Sequence, residues 1–128
     1  MDTNQNLIPS GIKTWFLIHF VLDLLFAIPL IFFPEGILPW FGWENVDPVT
    51  SRLVGAALLG IGGESLFSRN ASRDTFRALL RLKIIWASGA VLGLGLALWM
   101  GAPLAAWGFL GIFILFLIVW ISYAVKLR

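Results

Sequence analysis

An all-α, integral membrane four-helix bundle is the fold class this sequence predicts, and three observations predict it. The 128 residues are 59% hydrophobic and only 12% charged, where a soluble domain carries about 25% charge. Too little polar surface remains to cover a globule in water. Four long apolar runs are set apart by short polar or proline-bounded segments, and a helix needs about 20 apolar residues to cross the hydrocarbon core. None of the runs alternates as the strands of a membrane barrel do. The chain, 1–128, reads as one domain of four spans.

The first span covers about 13–33 and contains TWFLIHFVLDLLFAIPLIFF. Pro34 ends it, and Pro29 lies inside it, which membrane helices tolerate. Its apolar stretch is too long for a signal-peptide core, Asp23 interrupts it, and no small-x-small pattern follows. It is expected to be retained. The second span, about 50–67, is entered through Asp47-Pro48. The third covers about 82–100 and the fourth about 103–125. The linker PEGILPWFGWENVDP, 34–48, is long for a helical hairpin and apolar for a water-exposed loop. It is expected to lie in the outer interface as a short amphipathic turn, either as an anchor or as a lid over the bundle's mouth.

Charge orients the spans. Arg69, Arg73, Arg77, Arg81 and Lys83 crowd the link between spans two and three. Lys13 precedes span one, and Lys126 and Arg128 follow span four. With four spans all of these lie on one face, opposite Arg52, Glu35, Glu44 and Asp47. Basic residues stay cytoplasmic, so both termini are expected there, in a bacterial inner membrane. Trp15, Trp86 and Trp120 near the cytoplasmic ends, and Trp40, Trp43, Trp99 and Trp107 near the outer ends, match an interfacial belt.

Several function classes are excluded by what is missing. Without cysteine there is no disulfide scaffold, thiol relay or iron–sulfur site. One histidine and no cysteine argue against metal and haem, so no cofactor is expected. No phosphate loop or nucleophile elbow is present. The stretch GAALLGIGG lacks a preceding strand and a lysine, which makes it a packing surface. The basic segment SRNASRDTFRALLRLK is explained by topology and anionic headgroups, each Lys or Arg adding about 1 kcal/mol. No nucleic-acid partner is expected.

Glycines at 55, 60, 62 and 63, at 89, 93 and 95, and at 108 and 111 permit close helix approach. They serve equally within one chain or between chains, so the expected partners beside the bilayer are a second copy or a larger membrane complex.

Three ionisable residues fall well inside the spans: His19, Asp23 and Glu64. A central Asp costs about 2.5–3.5 kcal/mol on insertion scales, so such groups face the interior and pair. His19 and Asp23, four apart, share one helix face. From Lys13, His19 lies roughly 9 Å deep and Asp23 roughly 15 Å; from Ser68, Glu64 lies roughly 6 Å deep. This predicts a polar column of Glu64, His19 and Asp23, extended by Ser65, Ser88, Ser122 and Tyr123. Arg52, at the outer start of span two, either snorkels or turns toward a carboxylate. The candidate ligand-binding residues are therefore His19, Asp23, Glu64 and Arg52.

The column has two readings: a contact that only fixes helix register, or a protonation-linked site for a proton, an amine or a cationic lipid-like molecule. The leading expectation is a non-enzymatic bundle that binds a small lipophilic or cationic ligand or supports a larger complex. A proton-coupled small transporter formed as a dimer, and a membrane isomerase using an acid–base pair, are the alternatives.

The text RLVGAALLGIG, Arg52 to Gly62, following PEGILPWFG, resembles the DoxX-like group of small four-helix bacterial membrane proteins. The resemblance covers the four-span layout and is specific over about thirty residues. It implies at most an accessory role in respiratory or sulfur-oxidising membrane complexes, and it supplies no catalytic residue. A fainter similarity, to the EXPERA group of four-span sterol isomerases and lipophilic-amine receptors, rests on intramembrane acids such as Asp23 and Glu64.

Overall fold

The computed structural model describes residues 7–128, and their regular structure is helical throughout. Helix α1 covers Ile12–Phe32 and stops at Phe33, ahead of Pro34. A short α2, Pro34–Ile37, continues into a 3-10 turn, Leu38–Phe41. Gly42, at φ 97°, ends that turn in the left-handed region that favours glycine. The apolar linker is thus a pair of helical turns.

Helix α3, Pro48–Phe67, has proline in its first turn and Asp47 as its cap. The Asp47 carboxylate accepts from the Val49 amide at 2.9 Å, the Thr50 amide at 3.3 Å and the Thr50 hydroxyl at 2.7 Å. These bonds, the Thr50 hydroxyl first, hold the Asp47 carboxyl below its ordinary range. A depressed folded pKa means that the cap's contribution is complete above the ordinary carboxylate pKa and disappears only as pH falls through the depressed value. Amide exchange in the first turn of α3 should therefore stay slow through the ordinary carboxylate range and accelerate below it. An Asp47→Asn variant should lack that transition.

Helix α4, Arg73–Trp99, is capped by the Ser72 hydroxyl, which accepts from the Thr75 amide at 3.3 Å. It begins nine residues before the expected third span. The basic segment is therefore largely helix, burying Phe76 and Leu80 while Arg77 and Arg81 stay exposed. Helix α5, Ala105–Lys126, completes the chain.

Among the described residues three helices, α1, α4 and α5, are long and apolar enough to cross a membrane, one fewer than the four spans expected. Helix α3 has 20 residues, but Arg52, Glu64, four glycines and two alanines dilute its apolar content. Its small residues contribute close approach instead. A Cβ on Gly55 would lie 2.8 Å from Ile31 Cγ1 and 3.1 Å from the Ala27 carbonyl oxygen, and one on Gly62 would lie 2.5 Å from Asp23 Cβ. Backbone approach of this kind is how helices associate where lipid already solvates leucine. Gly60, Gly63, Gly89, Gly93, Gly95, Gly108 and Gly111 have nothing within 4 Å of such a Cβ. Only part of the glycine surface is used inside the chain.

The closest helix pairs are α1 with α3 and α4 with α5. A core of Ile12, Phe16, Phe76, Leu80, Phe116, Trp120, Tyr123 and Leu127 ties α1 to α4 and α5 at one end. At the same end Arg73 donates to the carbonyls of Leu7 at 3.1 Å and Arg128 at 3.4 Å. Lys13 donates to Asn70 at 3.5 Å. Both ends of the described chain and the α3–α4 turn therefore meet there.

Candidate functional site

The space between the helix pairs is a cavity of about 530 Å³, lined from α1, α3, α4, α5 and the linker. Its walls are apolar, with Leu22, Phe26, Leu58, Leu94, Ile112 and Phe113 among them. The linker reaches over it: Ile37, Leu38, Phe41 and Trp43 line the cavity, whereas Trp40 is exposed. Phe109 of α5 joins these parts, with ring centroids 5.5 Å from Phe26, 5.4 Å from Phe41 and 6.0 Å from Trp43. Aromatic pairs at such spacings add favourable edge contacts beyond their burial.

His19 and Asp23 line this cavity near the end closed by the core. Both are buried, and His19 Nδ1 lies 3.4 Å from Asp23 Oδ2. The two side chains share one face of α1, at the i, i+4 spacing. What holds them differs from the expected column. Lys83 of α4, only 1% exposed, reaches inward and places Nζ 3.0 Å from His19 Nδ1 and 2.5 Å from Ser65 Oγ. The same Nζ stands 4.9 Å from the centroid of Phe16 and 5.2 Å from that of Trp120. Two acceptors and two aromatic faces make a setting suited to an ammonium. An ammonium only donates, so His19 Nδ1 accepts and the ring proton sits on Nε2. Ser65 accepts from Lys83, and its hydroxyl donates a hydrogen bond to the Ile61 carbonyl at 3.1 Å.

With Nδ1 engaged by Lys83, Asp23 Oδ2 receives no hydrogen bond. It and Trp86 Nε1 are the two buried side-chain polar atoms without a hydrogen-bond partner among the described residues. Trp86 also lines the cavity, its ring 6.2 Å from Phe113. Both residues line the cavity, while these two atoms are themselves buried. The backbone makes room for Asp23 only because residue 62 is glycine.

The other candidates lie elsewhere. Glu64 is exposed and accepts from the Ser68 hydroxyl, so the expected column forms with Ser65 and Lys83 in its place. Arg52 Nε donates to the Ile31 carbonyl at 3.0 Å. It satisfies one of the free carbonyls at the end of α1, where a cation is also favoured by the helix dipole. Arg52 thus neither meets a carboxylate nor lines the cavity. Ser88 and Ser122 are exposed, and the Tyr123 hydroxyl donates to the Ser10 carbonyl at 3.2 Å. Among the described residues no three His, Asp or Glu side chains gather as metal ligands.

Lys83, Ser65 and Trp86 complete the site, and sequence reasoning assigned Lys83 and Trp86 to the membrane surface. A signal for Lys83 existed. Phe76, Leu80, Lys83 and Ala87 are the buried residues of α4, spaced four, three and four apart along one stripe. Trp120 likewise leaves the interfacial belt: it is 1% exposed and packs on Phe16, His19 and Phe116.

No family model, no curated protein and no solved structure matches this chain.

Proposed function

We propose that this chain is a small multi-pass protein of a bacterial inner membrane, with both termini cytoplasmic, that binds a small lipophilic molecule between its helix pairs. The observation that carries this reading is the cavity: about 530 Å³, with largely apolar walls, His19 and Asp23 toward one end and Thr50 and Ser51 toward the other. Small-molecule sites have this character and fall in the range of about 300–1,000 Å³. A polar contact serving only to fix helix register needs no such space beside it.

The membrane setting rests on the lateral surface. Leu25, Phe32, Ile85, Leu92, Leu96 and Ile118 are all exposed on the flanks of the three long apolar helices. Helix α3 crosses as a fourth span with its small face covered by α1. Helix α4, at 27 residues, is about 40 Å long, longer than the hydrocarbon core of about 30 Å. Its arginine-bearing first turns extend into the headgroups. Of the nine Lys and Arg residues, Lys83 is internal and Arg52 sits at the acidic end. The other seven surround the end where the termini meet, and this bias favours a cytoplasmic placement.

A cavity-filling variant tests the reading. Ala90 lines the cavity, and Ala90→Phe should occupy it. Solvent extracts of the purified wild-type protein, analysed by mass spectrometry, should contain a lipophilic compound at near-stoichiometric level. The variant, with helical content unchanged by circular dichroism, should lack it. Identical extracts from the two proteins would sink the proposal.

A further inference from the structure

We propose that Arg77 and Arg81 of α4 form a binding site for one anionic phospholipid, holding its phosphate while an acyl chain lies along Ile85, Leu92 and Leu96. This rests on the membrane placement and is independent of any ligand in the cavity. A continuous face is the first observation. Residues 77, 81, 85, 88, 92 and 96 recur at steps of four, four, three, four and four, so they run down one side of α4. All six are exposed, whereas Phe76, Leu80, Lys83 and Ala87 make the buried stripe. Ile85, Leu92 and Leu96 are 71%, 65% and 57% exposed.

Depth brings the two arginines to the level of lipid phosphates. Trp99 is 91% exposed at the far end of α4, and an indole prefers the headgroup level. A hydrocarbon core of about 30 Å takes about 20 helical residues, which puts its other boundary near Leu79. Arg77 then stands about 3 Å outside that boundary and Arg81 about 3 Å inside it. From there the long side chain of Arg81 snorkels outward. Residues four apart on a helix have Cβ atoms about 6 Å apart, so both guanidiniums reach one phosphate. Ile85, about 9 Å inside the boundary, stands among acyl chains.

Availability and charge single out this pair. At the same end Arg73 donates to the Leu7 and Arg128 carbonyls, Lys13 donates to Asn70, and Lys126 Nζ lies over the Tyr123 ring. Arg81 has neither a hydrogen bond nor an ion pair among the described residues. Arg77 pairs with Asp74 at 3.6 Å, but both side chains are open to solvent, and such a pair contributes little. Asp74 at −1 with Arg77 and Arg81 at +1 each leaves a net +1, matching the single charge of a phosphatidylglycerol head. The planar guanidinium fork binds phosphate oxygens in pairs. A choline head would bring its own cation toward the arginines.

The test counts lipid adducts on the whole chain by native mass spectrometry from detergent micelles. Its probes are palmitoyl-oleoyl phosphatidylglycerol, the phosphatidylcholine with the same chains, and inorganic phosphate. One phosphatidylglycerol should be retained per chain, at least about tenfold tighter than phosphatidylcholine. Inorganic phosphate, with no acyl chain, should leave no adduct. Arg77→Gln with Arg81→Gln should weaken phosphatidylglycerol retention by about thirtyfold, the product of about fivefold for each cationic side chain at a membrane surface. Lys13→Gln with Lys126→Gln removes the same charge from the same end and should weaken it by less than about threefold. All four residues are exposed, so helical content by circular dichroism should be unchanged in both variants.

Equal weakening in the two double variants would reveal only a general attraction of the basic end and overturn the site. Equal retention of the two phospholipids, or an inorganic phosphate adduct as tight as phosphatidylglycerol, also overturns it. Failure of the membrane placement is recognised separately, by release of the protein from membranes in alkaline carbonate.

Discussion

Replacing Lys83 with methionine should destabilise the folded protein by about 3–5 kcal/mol, measured by denaturant titration in mixed micelles, although the side-chain volume is nearly conserved. Lys83 is buried, and its Nζ binds both His19 Nδ1 and Ser65 Oγ, linking α4 to α1 and α3. Removing one member of a buried charged group strands the rest, and a cost of about 3–5 kcal/mol is the usual result. Asp23 is what would be stranded here, since its Oδ2 already lacks a hydrogen bond. Adding Asp23→Asn to Lys83→Met should therefore recover part of the loss, giving a coupling of at least about 1 kcal/mol in the double-mutant cycle. Strictly additive costs would mean that Lys83 and Asp23 do not sense each other. A single-variant cost under about 1 kcal/mol would mean that Lys83 is not a structural member of the site.

The second large effect should come from one methyl group. Gly62→Ala should cost about 2 kcal/mol or more, because its Cβ would stand 2.5 Å from Asp23 Cβ, an atom anchored directly to the α1 backbone. Helix α3 must then move away from α1, carrying Ser65 away from Lys83. Gly60→Ala and Gly63→Ala lie within two residues of the same position, yet their added Cβ meets nothing within 4 Å. These two should be neutral or stabilising by up to about 1 kcal/mol, from helix propensity alone. The three variants, compared in one unfolding series, separate a packing requirement from a general sensitivity of α3 to substitution. Similar losses at all three positions would point to that general sensitivity and away from the Gly62–Asp23 contact.

Much of the fold was legible because hydropathy and proline placement act locally. The apolar runs became α1, α3, α4 and α5, and the positions of Pro34 and Pro48 marked where α1 stops and α3 begins. The i, i+4 relation of His19 and Asp23 was legible for the same reason, as both lie on one helix. Depth along neighbouring helices was also approximately readable: the level assigned to Glu64 is where Ser65 meets Lys83 and His19.

Direction around a helix was not readable in α3. Glu64 and Ser65 differ by about 100° around the axis, and small residues lie on every side of this helix, so its apolar pattern does not identify an inner face. Lys83 was misplaced for a different reason. It follows four arginines in sequence, and charge clustering assigned it to the surface with them. Yet α4 starts at Arg73, which carries Lys83 about three turns in and onto the buried stripe.

By itself, the sequence determined an all-helical chain with long apolar helices, a basic and an acidic end, and a polar pair in α1. The tertiary structure alone decided which side chains surround that pair. Glycine at 55 and 62 lets α3 approach α1, and that contact rotates Ser65 inward and Glu64 outward. Lys83 then fills the gap between the helix pairs, while linker residues line part of the cavity beside it. Local hydropathy specifies that a helix forms and how long it is. Which of its faces meets a neighbour depends on close contacts between residues far apart in the chain, and these exist only once the helices have packed.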